Sequence, residues 1–264
     1  MRGAIVDPVW NFFPEAGAVT TQSADAILDY VDAEGIAVDW VLDTHPHADH
    51  FSAAPYISEK LGAPTAIGAK VTGVQNLWKE IYDLADDFPT DGRQWDRLFE
   101  EGETFMVGSI PVRVMFSPGH TLASVTYVAG DAAFVHDTLM MPASGTSRAD
   151  FPGGDAEDLW RSIRAILDLP AAMRLYIGHD YPAEGADPQY MATVAEHRLS
   201  NRHVKDGISR AEFLALRRAR DKTLKLPDRM LEALQVNIRG GRLPTQEANG
   251  VAYLRIPIGR FEPR

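Results

Sequence analysis

The stretch His45-Pro46-His47-Ala48-Asp49-His50 sets three imidazoles and a carboxylate within six residues, just after the short apolar run Trp40-Val41-Leu42. Imidazole nitrogen and carboxylate oxygen suit zinc, iron, manganese and nickel, and such sites usually recruit partners from elsewhere in the chain. Partners are present: Pro118-Gly119-His120-Thr121, His136-Asp137-Thr138 and Gly178-His179-Asp180-Tyr181 each put a potential ligand in a loop or at the end of an apolar run. A single histidine is by default a packed or solvated residue. Four such signals in this order point instead to a metal site. Seven ligand candidates result: His45, His47, Asp49, His50, His120, Asp137 and His179.

HxHxDH, then PGHT, then a lone Asp after a strand, then GHDY resembles the metallo-β-lactamase superfamily, over about Ile5 to about His203. Within it the chain resembles the persulfide dioxygenase branch, on SVTYV after the PGHT loop, on Arg148-Ala149-Asp150-Phe151 and on the GHDY ending. The resemblance implies an α/β chain folded as an αββα four-layer sandwich, with the metal at one edge of the two sheets. A catalytic domain over 1–207 is expected, with a helical extension over 208–264 packed on that same domain. Members of the family usually carry a further hairpin before the first strand. Its absence here means an edge filled differently or a truncated start.

A chain of 264 residues is long enough for one large domain with a sizeable core. No run approaches the length of a membrane-spanning helix, and Met1-Arg2-Gly3-Ala4-Ile5-Val6 lacks a signal-peptide apolar region, so the expected location is cytoplasmic. A net charge of −11 argues against nucleic acid and anionic membrane surfaces as partners. It leaves room for an anionic small substrate, because a local arginine and a metal outweigh the global field, and for a homodimer. With no cysteine there is no disulfide, no thiolate ligand and no cysteine nucleophile. An enzyme handling reactive sulfur is compatible with that composition.

Periodicity and breakers predict the elements. Ala4 to Asp7 reads as a strand ended by Asp7-Pro8, and Ser23 as the cap of a helix with Ala26, Ile27, Tyr30 and Val31 on one face and Gly35 as its stop. Val38 to Leu42 is a strand that delivers the HxHxDH loop at its C-terminal end, where α/β sheets place their sites. A helical pattern runs from His50 through Phe51, Ala54 and Ile57 to Gly62, then a strand at Thr65 to Ile67 and a helix from Gly73 to Leu84. Asp86 to Arg97 is a polar loop placed to line a substrate channel. Thr104 to Val107 and Ile110 to Phe116 form a hairpin; Ser124 to Val128, Ala132 to Val135 and Leu175 to Ile177 are strands. Asp155 opens a helix with Leu159, Trp160, Ile163, Ile166 and Leu167 buried. Pro188 to His203 reads as one helix, Ser209 to Glu212 as a capping box opening a second, and Pro227-Asp228 as the start of a third.

Both ligand arrangements of the superfamily fit these residues. In the binuclear hydrolases, His45, His47 and His120 would hold one Zn(II) and Asp49, His50 and His179 the other, with Asp137 between them, for hydrolysis of thioesters, lactones or β-lactams. In the persulfide dioxygenases, the resemblance implies one Fe(II) per chain on His45, His120 and Asp137, with the other four around it. The substrates would then be a small-molecule thiol persulfide, glutathione persulfide foremost, and O₂. Arg148 is the expected carboxylate clamp on the substrate side, with a structural Arg148–Asp150 ion pair as the alternative. Tyr181 is expected to point its hydroxyl at the metal-bound ligands or to be a half-buried tyrosine. His136, by strand alternation, is expected on the back face, and His197 and His203 as surface or packing residues. A non-enzymatic metal-binding regulatory module is the third reading, disfavoured because structural sites are closed by fewer ligands.

Overall fold

In a computed structural model of the chain, residues 1–182 and 184–261 are described. The described backbone divides into two compact units: 1–99, 107–109 and 225–261 form one, and the described residues of 100–106 and 110–224 form the other.

The first unit is built on four parallel strands in the order β1-β4-β6-β7: β1 (Arg2–Val6), β4 (Ala37–Leu42), β6 (Thr65–Gly68) and β7 (Arg97–Phe99). A three-stranded sheet, β3-β2-β5, adds β2 (Val9–Phe13), β3 (Ala18–Thr20) and β5 (Phe51–Ser52). Parallel strands need crossovers, and α1 (Gln22–Ala33), α2 (Ala54–Leu61) and α3 (Val71–Tyr82) supply them. Ala24, Val41, Ala54 and Ile57 share one apolar cluster, so α1 and α2 bury their apolar stripes against β4. That strand therefore enters the metal loop from a fixed position.

The second unit holds a six-stranded sheet, β13-β12-β11-β10-β9-β8. The hairpin partners β8 (Thr104–Val107) and β9 (Ile110–Phe116) lead to β10 (Val125–Ala129) and β11 (Ala132–His136), and β12 (Arg174–Ile177) runs parallel to β11 after the crossover helix α4 (Ala156–Leu167). Asp155 caps α4 by accepting from the Asp158 backbone N–H at 2.8 Å. Leu159, Ile163, Ile166 and Leu167 of α4 pack with Ala133, Val135, Leu175 and Phe213. After β13 (Met191–Thr193) come α5 (Val194–Ser200) and α6 (Arg210–Asp221), both opened by complete capping boxes. The last helix, α7 (Met230–Asn237), returns to the first unit.

Several expectations need correction. Thr21, not Ser23, precedes α1; Ser23 lies inside it, with its hydroxyl accepting from Asn11 Nδ2 at 2.9 Å, and Tyr30 is exposed. Phe51-Ser52 pairs antiparallel with Val9-Trp10, so the helix begins only at Ala54. Pro188 to His203 is not one helix: Met191–Thr193 pairs with β12, and sheet pairing overrides the local helical pattern. Among the described residues no helix is long and apolar enough to cross a membrane.

Candidate metal centre

Beyond Leu42 the chain leaves β4 and the loop Asp43 to Ala48 is buried. It is anchored from the neighbouring strand. Asp7, just past β1, takes a left-handed backbone (φ 49°) and turns its carboxylate to the loop. Oδ1 accepts from the Thr44 N–H and Oδ2 from the Thr44 hydroxyl, each at 2.7 Å. Burial raises the Asp7 carboxyl, yet His47 and the two Thr44 bonds outweigh it and hold it below the usual range. The Thr44 hydroxyl has one proton and gives it to a carboxylate. Its 3.0 Å contact with His45 Nδ1 is therefore accepted from Nδ1–H, which puts the His45 lone pair on Nε2, the atom a metal would take.

His47 Nε2 lies 2.9 Å from Asp7 Oδ1, and the His47 ring centroid is 4.0 Å from that of His45 and 4.1 Å from that of His50. His50 Nδ1 is 3.2 Å from Asp49 Oδ1, and its buried Nε2 has no hydrogen-bond partner among the described residues. The donor atoms of His47, Asp49 and His50 all lie within 4.8 Å of one another. Beneath them Asp43 accepts from the Ser52 hydroxyl at 2.7 Å and the Trp95 indole at 2.8 Å, while burial and the Asp7 charge push its carboxyl up.

His120, Asp137 and His179 lie in the second unit. His120 sits on a turn that only glycine can make: Gly119 has φ 131°, and a Cβ there would lie 2.1 Å from the Leu159 backbone nitrogen of α4. His120 Nδ1 is 3.0 Å from the Arg148 carbonyl, an acceptor, so Nδ1 is protonated and Nε2 carries the lone pair, as in His45. Asp137 follows a register shift in β11, where His136 takes φ 41°. Its Oδ2 lies 3.7 Å from His120 Nε2 and 3.5 Å from His179 Nε2. Donor atoms sharing one ion at about 2.1 Å stand about 3.0–3.4 Å apart, so these spacings need only a slight contraction to close on an ion. The donor set, nitrogen and carboxylate oxygen with tautomers fixed from behind, fits a first-row metal.

The Arg148 carbonyl owes its place to the tail. His203 Nδ1 accepts from the Thr146 N–H at 3.0 Å; buried Arg217 donates to the Thr146 carbonyl at 3.1 Å and to Asp221 Oδ1 at 2.8 Å; Asp221 Oδ2 accepts from the Ala149 N–H at 3.1 Å. His203 and His197 are thus buried packing residues. His136 is buried as expected, but at a bulge, with Nε2 2.9 Å from the Thr138 hydroxyl. The Arg148 side chain forms a forked pair with Asp150, Nε to Oδ1 at 2.7 Å and Nη2 to Oδ2 at 2.9 Å, and lies over the Phe151 ring. Tyr181 is not half-buried: it is 68% exposed, edge-on to the His179 ring at 4.9 Å. Asp7 and Thr44 escaped the sequence reading. Nothing marks an aspartate before proline as a loop anchor; the one available signal was a carboxylate ending the strand beside β4.

Comparison with known proteins agrees with this geometry. The chain is 61% identical to the beta-lactamase hydrolase-like protein of Agrobacterium fabrum over 98% of its own length, but spans only 60% of that protein. It is 46% identical to glyoxylase B2 of Dictyostelium discoideum, covering 97% of this chain and 88% of that one. At 28% identity, over 91% of this chain and 80% of that one, it resembles the persulfide dioxygenase ETHE1 of Bos taurus. Among solved structures, ETHE1 from Myxococcus xanthus superposes with a TM-score of 0.70 at 27% identity, covering 90% of this chain and 88% of that one. The metallo-beta-lactamase superfamily model matches residues 13–179, from β2 to His179 and so across all seven histidine and aspartate candidates. With its fold and its histidine–aspartate metal site in agreement, the chain belongs to the metallo-β-lactamase superfamily.

Proposed function

We propose that this chain is a non-haem iron dioxygenase acting on a low-molecular-weight thiol persulfide, glutathione persulfide foremost. The observation that carries the reading is the chemistry of the donor set: His120 Nε2 and Asp137 Oδ2 stand 3.7 Å apart, both residues buried, and buried His45 offers a second nitrogen whose tautomer Thr44 fixes. Two imidazoles and one carboxylate suit an iron that keeps positions open for substrate and O₂. Likeness to ETHE1 from Myxococcus xanthus over 90% of the chain adds support. The overall reaction balances as RSSH + O₂ + H₂O → RSH + H₂SO₃, the outer sulfur gaining both atoms of O₂ and water cleaving the S–S bond. Iron(II) held on these residues would supply the redox chemistry with O₂. The chain's own contribution is orientation: Thr44 and the Arg148 carbonyl hold the His45 and His120 tautomers. His47, Asp49, His50 and His179 are assigned to the surroundings of the ligands, and Arg148 and Tyr181 to the substrate side.

A second reading, a binuclear zinc hydrolase of thioesters, lactones or β-lactams, is favoured by the additional group His47, Asp49 and His50. Metal analysis and an oxygen electrode separate the two. Protein purified anaerobically is expected to carry about one iron per chain and to consume O₂ with glutathione persulfide. Asp137→Ala is expected to lose metal and activity, and His47→Ala to keep part of its metal. Two zinc ions per chain, no O₂ uptake by iron-loaded protein and turnover of a thioester or lactone would overturn the dioxygenase and establish the hydrolase.

A further inference from the structure

Helix α7 ends on Asn237, which is 2% exposed and lies far from the metal loop in sequence. Its Nδ2 donates to the His47 carbonyl at 2.7 Å and to the His50 carbonyl at 2.8 Å, and its Oδ1 accepts from the Ser52 N–H at 2.8 Å. Two carbonyls can be satisfied only by the amide nitrogen, so the network dictates which way the side chain points. Three hydrogen bonds of one side chain thus bracket residues 47–52. The backbone beyond the helix closes on the same segment: a Cβ on Gly241 would lie 2.3 Å from the Ser52 carbonyl oxygen.

We propose that Asn237 is a positioning residue of the metal centre. By tying the carbonyls of His47 and His50 together it sets the backbone from which the His47, Asp49 and His50 side chains project. This rests on the metal-site reading above. The neighbouring Gln235 provides a contrast. It is equally buried, donates to the Leu231 carbonyl at 2.7 Å and the Arg255 carbonyl at 2.6 Å, accepts from the Arg255 N–H at 2.7 Å, and makes none of these bonds to the metal loop. Asn237 and Gln235 therefore separate holding the loop from holding the tail.

The test uses the Zn(II)-loaded full chain and measures metal transfer to a chelator beside thermal unfolding of the metal-free protein. Asn237→Leu removes all three bonds, Asn237→Asp sets a carboxylate against two carbonyls, and Asn237→Ser keeps a hydroxyl and is the mildest. Metal affinity is expected to fall at least tenfold for Asn237→Leu and Asn237→Asp, with Asn237→Ser between them and wild type. Gln235→Leu is expected to lower the metal-free Tm while leaving affinity unchanged. Wild-type affinity in folded Asn237 variants, or an equal loss in Gln235→Leu, would overturn the proposal. A wild-type chain that takes up neither zinc nor iron would instead overturn the metal-site reading, and the proposal with it.

Discussion

Gly178 precedes His179, and its missing side chain makes room for Asp137: a Cβ at 178 would lie 2.3 Å from Asp137 Oδ1. Ordinary van der Waals contact begins near 3.4 Å, so in Gly178→Ala the two atoms must separate by 3.4 − 2.3 = 1.1 Å. Gly178 is not among the glycines with positive φ, so the backbone itself accepts alanine and the effect is steric. Metal sites tolerate ligand displacements of about 0.2 Å, roughly a fifth of this shift. Asp137 must therefore leave its position or β12 must move. Overpacking costs about 1–3 kcal/mol of stability, and metal affinity is expected to fall by about 10- to 100-fold, or ~1.4–2.7 kcal/mol. Chelator competition reads the affinity and thermal unfolding reads the stability. Gly73→Ala is the control: it lies in α3 with nothing within 4 Å of a new Cβ, and should stabilise by up to about 1 kcal/mol with affinity unchanged. Full metal affinity and unchanged Tm in Gly178→Ala would refute the idea that this glycine makes space for the carboxylate.

Burial depresses His197 to about 4, and burial together with Arg217, Arg220 and Arg202 depresses His203 to about 4. Both are neutral in the folded state at pH 7, so their stability contribution is complete above the unfolded value near 6.5 and is lost as pH falls through about 4, at up to ~1.4 kcal/mol per pH unit for each. Urea unfolding of metal-free protein between pH 7 and 4 should show this slope, and His197→Gln should make it shallower; an identical slope would remove His197 from the account. For Arg148, steady-state kinetics should show Arg148→Ala raising KM for the persulfide by about tenfold or more, ~1.4 kcal/mol, with Arg148→Lys recovering little. A lower Tm with unchanged KM would reduce Arg148 to the partner of Asp150 seen in its forked pair.

Metal chemistry was legible in the chain because it depends on residue type at short spacing. His45 to His50 offers its donors within one turn of chain, and PGHT and GHDY carry glycines that the turn at His120 and the space beside Asp137 demand. The strands β4, β6, β9 and β12 were equally readable, since alternating or continuous apolar runs are local patterns. Pro188 to His203 was not, because a three-residue strand is made by its partner β12 rather than by its own propensity. What the sequence by itself determined was the set of donors and the superfamily they signal. Only the tertiary structure decided how those donors are held: Asp7 behind Thr44 and His45, the Arg148 carbonyl behind His120, and Asn237 beneath His47 and His50. Hydrogen bonds between residues so far apart in the chain leave no periodic or compositional trace, and two of these three use backbone carbonyls, which every residue possesses.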